Sequence, residues 1–184
     1  MTIVSTMSAI EEKVVELRSV FDRARAIPFS SQKAETIEDL LAISLSGDPY
    51  AVRVTEVSAL VVDRKIVGLP SRVPELLGVA GIRGSVVPVY SFAALLGSGG
   101  LEDRMRWLVL CGAEEPVGLA FSDFEGYVRV PSAQIYPANG EYAKSEHVKD
   151  VARVAGRVRA VVSIPHIIEA IKGRCGKASF AKER

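Results

Sequence analysis

From Leu40 to Ser163 the chain is cut into short apolar runs, each bounded by Gly, Pro, Asp or Asn, and this punctuation constrains the fold more than any other feature. The runs are Leu40–Leu45, Tyr50–Val54, Val57–Val62, Ser85–Tyr90, Arg106–Cys111, Pro116–Phe121, Tyr127–Val130 and Val158–Ser163. Apolar side chains at Tyr50, Val52 and Val54 alternate with smaller or polar ones, as in a strand with one buried face. Only "FAALLG" (Phe92–Gly97) and "IPHIIEAIKG" (Ile164–Gly173) carry helical patterns in this part. So many short strands without intervening helices predict a mainly β chain, a barrel or sandwich rather than a βαβ fold.

The two helical pieces expose an internal repeat. Displacing the chain by 72 residues lays Val79-Ala80 on Val151-Ala152, Gly84 on Gly156, Ser91 on Ser163 and Leu95-Leu96 on Ile167-Ile168. A displacement of 67 lays "GDPYAVRV" on "EEPVGLAF". Two similar small barrels follow, each too small to be stable alone, joined along a common core. Tyr50, Val52, Val54, Val87 and Val89 are assigned to the core of the first, and Trp107, Val109, Leu119 and Val161 to that of the second.

Ahead of the barrels, residues 8–26 form an amphipathic helix pattern with a capping box at Ser8 and Glu11, an apolar stripe through Ile10, Val14, Leu17, Phe21 and Ala24, and a stop at Pro28. The expected organisation is a helix and linker over 1–36, the barrel domain over 37–174 and a basic tail over 175–184.

Charges nearly cancel, with 23 basic and 22 acidic residues, which argues against a nucleic-acid partner. The longest apolar runs are too short to cross a bilayer and the N-terminus lacks a signal-peptide pattern, so a cytoplasmic protein without direct membrane insertion is expected. Cys111 and Cys175 have no ligand-spaced mates, so neither zinc nor a redox motif is supported. His147 is read as a surface residue and His166 as helix-borne. No nucleophile elbow or metalloprotease motif occurs, and the paired acids Glu11-Glu12 and Glu114-Glu115 read as a helix surface and a hairpin tip, so the chain is read as having no catalytic, cofactor or metal site.

One motif remains. "GVAGIRG" (Gly78–Gly84) has neither the dinucleotide nor the P-loop spacing, and the strand pattern after it lacks a helix N-terminus for phosphate. It reads as strand, hairpin, strand, with Gly81 and Gly84 supplying angles that a Cβ would forbid and Arg83 displayed at the bend.

The stretch "VPELLGVAGIRGSVVPVYSFAALLG" (Val73–Gly97) resembles the signature of the CheW-like family of chemotaxis coupling proteins, through Pro74, Gly78, Val79, Arg83, Gly84, Val87, Pro88 and Val89. "YAVRVTEVSAL", "PVGLAFSDFEGYVRVPSAQIYP" and "RAVVSIPHII" are similar to further family segments, so the likeness covers about Leu40 to Lys172. The resemblance implies two SH3-like five-stranded β-barrels sharing a core, here with an extra N-terminal helix and a short C-terminal helix. It implies a non-enzymatic, cytoplasmic scaffold of a two-component signalling pathway, recruited to receptor clusters. There it would couple the cytoplasmic tip of a methyl-accepting chemoreceptor to the regulatory domain of a CheA-type histidine kinase. The partner-binding residues carried over are Arg83, Gly84, Gly81, Ala59, Val57 and Glu56.

The family's polar decoration is altered. Its usual strand acid falls on Ala59, its Asn before the arginine on Gly81, and two Asp positions on Ser91 and Ser122. Arg83 is then expected to seek Glu56 or Glu75. Two alternatives stay open: a one-sided adaptor that binds the receptor but not the kinase, and a small-molecule-binding barrel. The receptor, kinase and signal are not identified by sequence.

Overall fold

The computed structural model describes residues 36–98, 105–112, 115–143, 145–154 and 156–180; the expected helix over 8–26 lies outside them. Twelve strands are described: β1 Ile37–Leu45, β2 Asp48–Arg53, β3 Ala59–Val62, β4 Ile66–Val67, β5 Leu76–Ile82, β6 Ser85–Ser91, β7 Trp107–Cys111, β8 Val117–Phe121, β9 Asp123–Pro131, β10 Ile135–Pro137, β11 Val148–Val154 and β12 Arg157–Val162. A short helix α1 (Phe92–Leu95) follows β6, and a longer one, α2 (Ile164–Phe180), follows β12.

These strands form two sheets, in the orders β10-β11-β12-β2-β1-β9 and β4-β5-β6-β8-β7-β3. In each, the two end strands are successive in the chain, β9 with β10 and β3 with β4, so the sheet curls around its own apolar cluster. Barrel A encloses Leu40, Ala51, Val130, Ala152, Val154 and Val161. Barrel B encloses Ala80, Ile82, Val87, Val89, Leu108, Leu110 and Ala120. A third and larger cluster lies between them, with Ile43, Tyr50, Val52, Phe92, Val109, Leu119, Phe121 and Ile167 among its members. The chain is therefore mainly β, with two SH3-like barrels sharing a core; the sixth segment of each is the two-residue β4 or three-residue β10, which the five-strand expectation did not count.

The repeat is real at the level of register. β6 and β8 pair in parallel with Val89 opposite Gly118 and Tyr90 opposite Leu119; β12 and β2 pair in parallel with Val161 opposite Ala51 and Val162 opposite Val52. The displacements of 72 and 67 carry one set onto the other. The hairpins agree too, because a bulge between Leu76 and Gly78 recurs between Val148 and Asp150.

Each barrel, however, borrows its hairpin β1–β2 or β7–β8 from the other repeat. This corrects the assignment of one repeat to one barrel: Tyr50 and Val52 stand in the sheet of barrel A while Val87 and Val89 stand in that of barrel B, and Trp107, Val109 and Leu119 are in the other sheet from Val161. The exchange follows from burial. β2 and β8 feed one face to a barrel interior and the other to the shared core, so every residue of β8 is buried, and such strands are stable only between two apolar layers. Val54 and Trp107 are half-buried at the margin of the shared core rather than within it.

Tight turns set the hairpins. Ser46-Gly47 and Arg83-Gly84 both have positive φ, as the two-residue turn matching strand twist requires. Gly78 is required for a different reason: its φ is +145°, and a Cβ there would lie 2.0 Å from the carbonyl oxygen of Val67 on β4. Gly81 has no such need. A Cβ there would meet nothing within 4 Å and its φ is not positive, which corrects the expectation that it supplies a special angle.

Helix α2 buries Ile164, Ile167 and Ile171, spaced three and four apart, in the shared core. Its first amide, Ile164 N, donates to Glu56 Oε2 at 2.8 Å. Arg53 beside it donates to Glu38 at 2.8 Å and Asp150 at 2.6 Å, binding β1, β2 and β11 into one polar knot at the base of the helix.

Candidate interaction surface

The hairpin β5–β6 puts Arg83 at its tip, with Gly81 and Gly84 exposed beside it. Arg83 makes no ion pair with a carboxylate among the described residues. The two acids expected to answer it are otherwise engaged. Glu56 lies on the 3₁₀ turn Val54–Glu56 and accepts from the start of α2, and Glu75 bonds Arg174 on that helix. Burial raises the Glu56 carboxyl above its ordinary range, Asp150 and Glu38 adding to the effect while the Ile164 amide and Arg53 oppose it.

Val57 and Ala59 are half-buried and structural. Val57 packs on the shared core, and Ala59, first residue of β3, packs on the interior cluster of barrel B. An acid at position 59 would enter that apolar cluster unpaired. Within the sheet, β7 and β8 separate β3 from β6; the six residues thus divide into an exposed tip (Arg83, Gly84, Gly81) and a supporting turn and strand (Glu56, Val57, Ala59).

Ser91 shows how altered decoration keeps the fold. It is fully buried and its hydroxyl accepts from Ala94 N at 3.3 Å, capping α1, a task that serine and aspartate both perform.

Sequence reasoning missed Val86. The β6 pattern reads as buried on most of its surface, yet Val86 is 75% exposed. It opens a groove of about 350 Å³ with Pro88, Pro116, Ile168, Ile171 and Lys172, whose far wall is α2. Lys172 pairs with Glu115 at 3.1 Å along one rim. The available signal was position: Val86 is the second residue after the turn, on the opposite face from Val87, which is inside barrel B.

Other expectations divide. Cys111 is buried and burial, with the Glu56 charge, pushes its thiol up to about 12, as an inert core residue. His166 is on α2, but His147, on the turn before β11, is only 3% exposed, which corrects its reading as a surface residue. No helix among the described residues is long and apolar enough to cross a membrane.

Comparison with known proteins agrees with this geometry. No curated protein sequence matches the chain. The crystal structure of the scaffolding protein TtCheW from Thermoanaerobacter tengcongensis superposes with a TM-score of 0.63 at 16% identity, covering 70% of this chain and 90% of that one. The family model for the CheW-like domain matches residues 39–172, spanning both barrels and the first half of α2. The chain belongs to the CheW-like domain family.

Proposed function

We propose that the protein is a non-enzymatic adaptor that couples a methyl-accepting chemoreceptor to a CheA-type histidine kinase. The observation that carries this reading is the joint exposure of Arg83 and Val86 at one hairpin end, beside an apolar groove. The Arg83 guanidinium, without a carboxylate partner among the described residues, offers a fork of donors to a partner's carboxylate, and an exposed valine next to a groove offers apolar burial; together they suit a protein partner. The family's role as a chemosensory scaffold, and the structural likeness to TtCheW, a scaffolding protein, support the same reading. The protein acts in the cytoplasm, at receptor clusters, and uses no cofactor.

The barrel interiors favour this over a small-molecule carrier. Both are filled by packed side chains, Val87 and Val89 in one and Ala51, Ala152 and Val161 in the other.

The test is calorimetry with a receptor hairpin tip and, separately, a kinase regulatory domain. Binding of both, with Val86→Asp weakening the receptor by at least about tenfold, is the expected result. Binding of the receptor alone would establish the one-sided adaptor instead. Binding of neither would reject the adaptor reading.

A further inference from the structure

The turn that leads into β11 holds α2 by its backbone as well as by packing. Ser163, the residue before the helix, donates its amide to the His147 carbonyl at 2.9 Å, and the His147 amide in turn donates to Ser145 Oγ at 3.4 Å. Beside the helix is an open depression of about 410 Å³, lined by Glu146, His147 and Lys149 from the turn and strand and by His166, Glu169 and Ala170 from α2. The His147 ring is almost wholly enclosed here. Its Nδ1 has no hydrogen-bond partner, and Nε2 stands 3.7 Å from Glu146 Oε1, too far for a bond.

A neutral imidazole tolerates this seat far better than an imidazolium, which presents two N–H donors and a charge. The groups around it do little to help. From the helix come His166 and Arg174, and from β11 Lys149, all cationic or able to become so; the acids are Glu146 on the same turn, 80% exposed, and Glu169, exposed on α2.

We propose that His147 is a proton-sensitive latch on α2: protonating its ring unseats the helix from the 145–149 turn and removes the helical wall of the groove beside Val86. The consequence for binding rests on the adaptor reading above, whereas the latch itself does not. Burial holds the ring below its ordinary value of 6.5, with Arg174 and His166 acting the same way and Glu146 against them. A depressed histidine contributes stability that is complete above its unfolded pKa and is lost as pH falls through the folded one, so the window opens at about pH 6.5 and extends downward. Glu56, whose carboxyl is raised, works in the opposite sense at lower pH, so a variant must separate the two.

Amide hydrogen exchange of the full chain at about pH 7.5 and 5.5, corrected for intrinsic rates, reads the latch without any partner. The protection of α2 relative to β1–β2 should fall about tenfold in the acid sample, and His147→Gln should abolish this pH dependence. Should that variant not fold, the His147 ring titration followed by NMR in the unaltered protein must share its midpoint with the α2 amide shifts. Unchanged α2 protection, a midpoint unrelated to His147, or the same loss in His147→Gln would overturn the latch. The groove could still bind its partner, which keeps the two failures distinguishable.

Discussion

Barrel B places Val87 in its interior where barrel A, 72 residues later, places Arg159. Both are buried, at 2% and 5% exposure. The arginine is accommodated because Glu125 of β9 bonds its Nη2, while Nη1 is 3.5 Å from the Ile43 carbonyl and Nε has no partner. In the cognate strand of barrel B, β3, the residues facing the interior are Ala59 and Val61. The repeat thus preserves shape and register while the polarity of individual positions drifts, provided each buried charge acquires a neighbour to answer it.

Transplanting the charge should have the largest effect. Val87→Arg buries a guanidinium among Ala80, Ile82 and Val89 with no acid supplied, and should cost about 3–5 kcal/mol in denaturant unfolding. The reciprocal Arg159→Leu should change stability by less than about 1 kcal/mol, since an apolar side chain suits the cluster and Glu125 is exposed enough to find water. Equal costs in the two barrels would mean that Glu125 is not what accommodates the buried charge.

The two bulges differ as well. Gly78 and Asp150 occupy the same place in the two repeats, but only Gly78 has a positive φ, and a Cβ there would meet the backbone of β4. Gly78→Ala should therefore cost about 3 kcal/mol, through strain and a clash that no side-chain motion relieves. Asp150→Ala should cost about 1 kcal/mol, the bond to Arg53. A mild Gly78→Ala would place β4 farther from β5 than described.

The smallest effect belongs to the helices. The second repeat has a long helix fastened to Glu56, whereas α1 is a single turn capped by its own Ser91. Glu56→Ala should lower stability by about 1 kcal/mol by leaving the Ile164 amide unanswered. Glu56→Gln should match or slightly exceed the unaltered protein at neutral pH. A carboxyl raised by burial is penalised once ionised, so its favourable contribution is present below its unfolded pKa and lost as pH rises through the folded one. Thermal melts at two pH values would check both.

Much of the scaffold was legible because apolar runs and turn residues act locally. Val86-Val87-Pro88-Val89 announced a strand, Arg83 with Gly84 a hairpin bend, and the displacement of 72 residues a second copy of both. β11 was legible only through the repeat, since "VKDVARV" mixes charges into its apolar face. The exchange of hairpins left no local trace: whether β2 joins β6 or β12 is decided by which pairing closes two apolar layers at once, a property of the whole chain. The site was half legible. Arg83 was placed correctly at its bend, but the engagement of Glu56 and Glu75 by α2 joins residues about a hundred positions apart, and Val86 differs from its buried neighbours only by the direction of its side chain.

The two pseudo-equivalent tips provide the most direct measurement. Arg83 stands at the tip of β5–β6, and Arg157 is the exposed arginine just after Gly156 at the tip of β11–β12. Titration calorimetry of the receptor hairpin tip should show Arg83→Ala weakening binding at least about tenfold, roughly the 1.4 kcal/mol of one charge-assisted bond, and Arg157→Ala leaving it within about twofold. Equal losses at both tips, or none at Arg83, would contradict the assignment of the binding face to the first hairpin.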